Sequence, residues 1–151
     1  MKSLITFFIT SALIMGFTSC AQKSPNKPVK TIPKDLSKYS KATFAAGCFW
    51  HEEALFESVK GVAEAVSGYA GGNTQNPTYE SIETGNTGHA ESVMVYYDPS
   101  VVSYGTLLKV YFAGQNPTQV NGQGPDLGTQ YRSIAFYNNE SEKKQIVDYI
   151  S

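Results

Sequence analysis

The run His89-Ala90-Glu91-Ser92-Val93-Met94-Val95-Tyr96-Tyr97, closed by Asp98-Pro99, constrains this chain most. It alternates strongly and is rich in β-branched and aromatic residues, which is the pattern of a strand. Shorter runs at Ala42–Ala46 and Val62–Ala70 also read as strands, and Thr129–Tyr137 alternates again. Trp50–Lys60 has apolar residues at Trp50, Ala54, Leu55 and Val59 with charges between them, so it is predicted to be an amphipathic helix stopped by Gly61. Ser103 is a predicted N-cap for a helix over Tyr104–Ala113, and Glu140–Ile150 opens another helix. Thr78–Ile82 is open to a helical or an extended reading. The order β-α-β-β-α-β with a final helix predicts an α+β fold, specifically a ferredoxin-like two-layer plait with helices on one face of an antiparallel sheet. Met94, Leu55 and Phe56 are expected in its core. Gly114–Gly128, rich in Gly, Pro, Asn and Gln, is expected to be a long loop, and loops of that length are usually functional or disordered. The chain stops at Ile150-Ser151 inside a helical run without a cap, as a truncated chain would.

The first residues belong to no fold. Lys2 precedes an apolar run from Leu4 to Phe17, too short for an ordinary membrane span and laid out as a secretory signal. It ends in Phe17-Thr18-Ser19-Cys20-Ala21, which resembles a bacterial lipoprotein processing site. That resemblance implies cleavage before Cys20 and a lipid on its thiol, hence a membrane-anchored protein outside the cytoplasm. The alternative is an ordinary signal peptide with an incidental cysteine. Residues 20–40 are dominated by Pro and Lys, with no hydrophobic periodicity, and read as a tether. Its lysines either lie along an anionic membrane surface or are simply solvated. The expected organisation is therefore a signal at 1–19, a lipid-anchored tether at 20–40 and one domain at 41–151. The formal net charge of −1 and the absence of a long basic block exclude a nucleic-acid surface.

With Cys20 capped by lipid, Cys48 is the only thiol left in the folded part, so no disulfide can form within the chain. It sits in Gly47-Cys48-Phe49-Trp50, between a strand-like and a helix-like run, beside the only tryptophan. At a helix N-terminus the exposed N–H groups and the dipole favour a thiolate, and the two aromatics suit a small apolar pocket. Two readings stay open, an activated nucleophile or a small buried filler. Glu91 is either a solvent-facing strand residue or, if held in an apolar pocket, an acid able to donate a proton near neutral pH. His89 is either a strand-end imidazole or the partner of Cys48 in a cysteine hydrolase. Tyr79 and Tyr131 are two of ten tyrosines, useful to chemistry where a phenol must bond a polar oxygen in an apolar pocket. Asp126 is most simply a turn residue. His51 either adds a positive charge near the thiol or points to solvent.

In order along the chain, GCFW, GYAGG, NPTYE, TGHAE, YDP, PTQ and GTQYRS resemble peptide methionine sulfoxide reductase A, from about Thr43 to the end of the chain. The resemblance implies an α+β plait and reduction of the S epimer of methionine sulfoxide, free or in oxidised proteins. It makes Cys48 the nucleophile and gives Phe49 and Trp50 the substrate's S-methyl group. Glu91 becomes the buried acid that protonates the sulfoxide oxygen, and Tyr79 and Tyr131 the phenols that bond it. Asp126 organises the site through water. No bound cofactor and no metal are implied. A thioredoxin-like thiol would reduce the Cys48 sulfenic acid through a disulfide. This sequence departs from the family at His51, where Gly is usual, and at Gln115-Asn116-Pro117, where His-Asp-Pro is usual. The family's C-terminal segment with its recycling cysteines is missing here, which leaves the regenerating thiol open. The rival readings are a Cys48/His89 hydrolase and a non-catalytic lipoprotein that keeps the fold as a binding module.

Overall fold

A computed structural model describes residues 35–151; the apolar leader, Cys20 and the tether up to residue 34 lie outside the described residues. Residues 35–39 form a turn in which the Tyr39 N–H donates to the Leu36 carbonyl at 3.1 Å. The first strand, β1 (Ser40–Ala45), then begins one residue ahead of the expected domain start, with Ser40 opposite Tyr97. The chain continues through α1 (Phe49–Glu57), β2 (Val62–Ala70), the short α2 (Tyr79–Glu83) and β3 (Ala90–Tyr97). Next come α3 (Tyr104–Ala113), a two-residue hairpin of β4 (Gly122–Gln123) and β5 (Asp126–Leu127), a 3-10 turn at Thr129–Tyr131, β6 (Ile134–Ala135) and α4 (Glu140–Ile150). The main sheet has the order β2-β3-β1-β6, and each neighbouring pair is antiparallel. The protein is thus a mixed α/β fold on an antiparallel sheet.

One face of that sheet makes the core. Ala42 and Phe44 of β1, Val62 and Ala65 of β2, and Val93, Val95 and Tyr97 of β3 pack with Phe49 and Phe56 of α1 and with Tyr104, Leu107, Leu108 and Tyr111 of α3. Phe44 sits at the centre, its ring 5.0 Å from both Phe56 and Tyr111. Emptying such a position costs about 3–5 kcal/mol. Met94, expected in the core, is 37% exposed, because a period of two turns it to the face opposite Val93 and Val95. Phe56 is buried as expected, and Leu55 is half-buried.

The buried stripe of α1 differs from the expected one. It runs through Phe49, Glu52 and Phe56, while Trp50 is 73% exposed and Ala54 faces out. A glutamate in the middle of the stripe hides its apolar spacing. Glu53 ties the helix to β2 by accepting from the Ser67 N–H at 3.1 Å and from the Ser67 hydroxyl. Ser103 caps α3 as predicted, accepting from the Thr106 N–H at 3.1 Å. The Tyr111 hydroxyl donates to the Ala45 carbonyl at 3.0 Å and so fixes the end of β1 where it enters the Cys48 turn.

The strand expected over Thr129–Tyr137 is mostly absent. Only Ile134 and Ala135 pair with β1, opposite Ala45 and Phe44. The preceding residues curl into the 3-10 turn, entered through Gly128 at φ 139°, a conformation that suits glycine. Arg132 holds the curl, donating from Nη1 to Thr129 O at 2.7 Å and from Nη2 to Gly88 O at 2.8 Å. The turn aims Tyr131 inward rather than along the sheet. Among the described residues, no helix is long and apolar enough to cross a membrane.

Candidate active site

Where β1 ends, Gly47 turns the chain at φ +73°, and Cys48 becomes the N-cap of α1 with an extended backbone and no side-chain capping bond. A side chain at Gly47 would put its Cβ 2.7 Å from Cβ of Gln123, so the turn needs glycine on both counts. The Gly47 N–H donates to the Tyr131 carbonyl at 3.1 Å, which ties the 3-10 turn to the cysteine turn. The half-buried Cys48 thus stands at the N-terminus of α1, the end of the helix that carries partial positive charge.

The first free N–H of that helix is already used. Phe49 donates it to Glu91 Oε2 at 3.0 Å. Glu91, on β3 opposite Tyr69, is only 2% exposed. Burial raises its pKa above the ordinary carboxyl value; the Phe49 N–H opposes that rise, and the nearby Glu83 and Asp126 charges add to it. The sequence left Glu91 open between a solvent-facing residue and a buried one, and the structure buries it.

Cys48, Phe49, Trp50, Tyr79, Glu91, Asp126 and Tyr131 line one cavity of about 180 Å³. The structure therefore brings together all the residues singled out for the pocket. Phe49 and Trp50 form an aromatic wall with ring centroids 6.1 Å apart, and Tyr69 extends it at 5.8 Å from Phe49. Tyr79, 50% exposed, sits at the start of α2, whose Thr78 cap accepts from the Ser81 N–H at 3.3 Å.

His89 is not among the lining residues. Its Nδ1 accepts from the Gly72 N–H at 3.2 Å, so its Nε2–H donates to Thr74 O at 2.9 Å. The imidazole pins the Gly71–Thr74 loop, and a Cβ on Gly72 would lie 2.3 Å from its ring. A Cys48–His89 pair does not form. His51 is exposed on α1, as the solvent-facing reading had it, and borders a second cavity beside Cys48.

The sequence did not reveal Glu83 or Arg132. The Tyr131 hydroxyl donates to Glu83 Oε1 at 3.0 Å. Burial, then the Glu83 carboxylate, raise the Tyr131 pKa, and Glu83 is the main cause of the raised pKa of Tyr79. Nothing in the local pattern TyrGluSerIleGlu distinguishes Glu83 from Glu80, because its partner lies 48 residues away. Arg132 joins the Tyr131 turn to the loop that enters β3 at Ala90, one residue before Glu91. Chemically, the site offers one sulfur nucleophile, a carboxyl disposed to keep its proton, two phenols and an apolar wall. It suits an electrophile with a small apolar substituent and an oxygen that needs a proton.

The family model for peptide methionine sulfoxide reductase matches residues 40–151. Peptide methionine sulfoxide reductase MsrA 2 of Mesorhizobium japonicum is 56% identical over 110 residues, covering 72% of this chain and 56% of that protein. MsrA of Methanothermobacter thermautotrophicus is 50% identical over 113 residues, covering 75% and 67%. The chain thus spans between about half and two thirds of these relatives' lengths. Methionine sulfoxide reductase A of Corynebacterium diphtheriae superposes with a TM-score of 0.68 at 36% identity, over 72% of this chain and 55% of that one. Reduced Mxr1 of Saccharomyces cerevisiae gives 0.68 at 32% identity, over 79% and 70%. Fold, motif order and these matches agree, and the chain belongs to the peptide methionine sulfoxide reductase A family.

Proposed function

We propose that this protein reduces the S-sulfoxide of methionine, free or in oxidised proteins, with Cys48 as nucleophile. The observation that carries the reading is the single cavity that puts Cys48, Glu91, Tyr79 and Tyr131 against an aromatic wall. The substrate S-methyl group lies on Phe49 and Trp50. Its oxygen points to Glu91 and the two phenols, and Asp126 supports them. A sulfoxide sulfur is a poor electrophile until its oxygen is protonated, and Glu91 gives that proton. The Cys48 thiolate attacks the sulfur, the oxygen with its new proton passes to Cys48 Sγ as the substrate S–O bond breaks, and methionine leaves. The substrate gains two electrons, and Cys48 becomes a sulfenic acid. Tyr131 must first turn its O–H from Glu83 toward the sulfoxide oxygen. A thioredoxin-like thiol then reduces Cys48 through a mixed disulfide.

The strand order β2-β3-β1-β6 supports reading the core as a ferredoxin-like plait. The Lys2-to-Cys20 layout supports a lipoprotein tethered outside the cytoplasm. Incubation with a racemic sulfoxide and a thiol, followed by chiral chromatography, tests the activity. The S epimer should disappear and the R epimer persist. Equal loss of both, or of neither, contradicts it.

A further inference from the structure

Carboxylates gather where the aromatic pocket meets solvent. Glu80 and Glu83 share the short α2 with Tyr79, and all three are exposed. Glu83 Oε1 accepts from the Tyr131 hydroxyl at 3.0 Å, and Asp126 lines the pocket together with Tyr79 and Tyr131. The charges of α2 reach the pocket wall. Glu83 is the largest cause of the raised pKa of Tyr79. Burial first, and then charges that include Glu80 and Glu83, raise that of Tyr69. Among the described residues, no lysine or arginine lines this pocket. Arg132, next to Tyr131, gives its guanidinium to the His89, Thr129 and Gly88 carbonyls. Lys143 and Lys144 pair with Glu140 and Asp148 on α4, and Lys41 lies over the Tyr96 ring. Two lining rings are also open to solvent, Trp50 at 73% and Tyr79 at 50% exposure.

Resting on the function proposed above, we infer that the site selects methionine sulfoxide that neighbours a lysine or arginine in an oxidised peptide, and that Glu83 receives the basic side chain. The pocket takes the sulfoxide; the carboxylates at its edge choose the flanking residue. In the free protein Glu83 is partnered by Tyr131. When Tyr131 turns its hydroxyl to the sulfoxide oxygen, Glu83 loses that donor. A substrate ammonium or guanidinium replaces it with a bond charged on both sides, which is stronger than the one lost. The cation therefore favours the arrangement in which Tyr131 is free to hold the sulfoxide. The open faces of Trp50 and Tyr79 attract the same cation, since aromatic faces draw positive charge. An acidic neighbour meets Glu80 and Glu83 as like charge and gains nothing from the rings.

Two blocked peptides give the test, each with one methionine S-sulfoxide, flanked by lysines in one and by glutamates in the other. Binding is read on Cys48→Ser through the fluorescence of Trp50, the only tryptophan of the chain. Methionine formed by the wild type with both peptides in competition is read by mass spectrometry. The lysine peptide should bind on the order of fivefold to tenfold more tightly at low salt, the range expected of exposed charge pairs. The ratio should shrink at high salt, which screens them. Adding Glu83→Gln should lower the ratio by roughly twofold or more, whereas Glu140→Gln on α4 should leave it unchanged. A loss of Tyr131 positioning alone would weaken both peptides equally and keep the ratio. Equal binding of the two peptides, tighter binding of the glutamate peptide, or a ratio unmoved by Glu83→Gln overturns the proposal. A lysine preference that Glu83→Gln reduces, with no methionine formed from either peptide, would remove the proposed function and leave the charge selection standing.

Discussion

The Phe49 backbone N–H, first in its helix, points at Glu91 Oε2 from 3.0 Å. The backbone just after Cys48 thus fixes the Glu91 carboxyl, and the α1 N-terminus has Cys48 as its N-cap and Glu91 as the acceptor of its first free N–H. Burial and that N–H pull the Glu91 proton in opposite directions, and burial is the larger effect. The pKa lies above the ordinary carboxyl value, so the protonated fraction falls as pH rises through it. Sulfoxide reduction by the wild type should decline on that limb. Glu91→Gln should lose about 100-fold or more in rate, and its pH profile should flatten there. A pH series of single-turnover methionine formation checks this, and a wild-type rate in Glu91→Gln contradicts the assignment.

Glu52 gives a stability prediction. It is 2% exposed, neither carboxylate oxygen has a hydrogen-bond partner, and burial pushes its pKa up to about 7. A carboxyl raised from 4.5 on folding keeps its full contribution below pH 4.5 and loses stability as pH rises toward 7. At about 1.4 kcal/mol per pKa unit, the loss is on the order of 3 kcal/mol by pH 8. Glu52→Gln should therefore unfold at higher denaturant than the wild type at pH 8, with the gap closing toward pH 4. Equal midpoints at both pH values would contradict a buried, unpaired carboxylate.

The turn before the nucleophile gives the third prediction. At Gly47 a Cβ meets Gln123 at 2.7 Å, and φ is +73°. Gly47→Ala should cost about 1–3 kcal/mol of stability from the backbone conformation alone. It should also slow both half-reactions, because Gln123 and the Tyr131 turn move with it. Urea unfolding and single-turnover rates check this; wild-type values for both would mean the turn tolerates a side chain.

The fourth concerns Glu83. Its carboxylate takes the Tyr131 proton bond and raises the Tyr131 pKa. Glu83→Gln should lower the Tyr131 pKa toward the ordinary phenol value, read by ultraviolet titration against Tyr131→Phe. It should also shift KM for the sulfoxide more than Glu80→Gln does. An unchanged phenol titration would contradict the Tyr131–Glu83 link.

Much of this fold was readable from local pattern. Val62–Ala70 and Tyr104–Ala113 are found with the expected bounds, because period two and an N-capped apolar face are local signals. Cys48 and Glu91 stood out by their places at a strand-to-helix turn and a strand start, but the local pattern left both open and only the family resemblance assigned them roles. The stretch 129–137 misled, because its alternation is real but Gly128 and the Arg132 contacts to Gly88 and Thr129 bend it into a turn. The α1 face misled for the opposite reason: a buried Glu52 occupies a core position. Glu83 was invisible because its role exists only once Tyr131 folds back onto it.

The central claim is that Cys48 takes the oxygen from methionine sulfoxide. One equivalent of methionine S-sulfoxide is mixed with reduced protein in the absence of any thiol, and methionine and protein mass are read together. The account predicts methionine in a one-to-one ratio to protein, one oxygen gained at Cys48 and trapped by dimedone, and neither product in Cys48→Ser. Methionine formed equally by Cys48→Ser, or formed without dimedone labelling of Cys48, would contradict it.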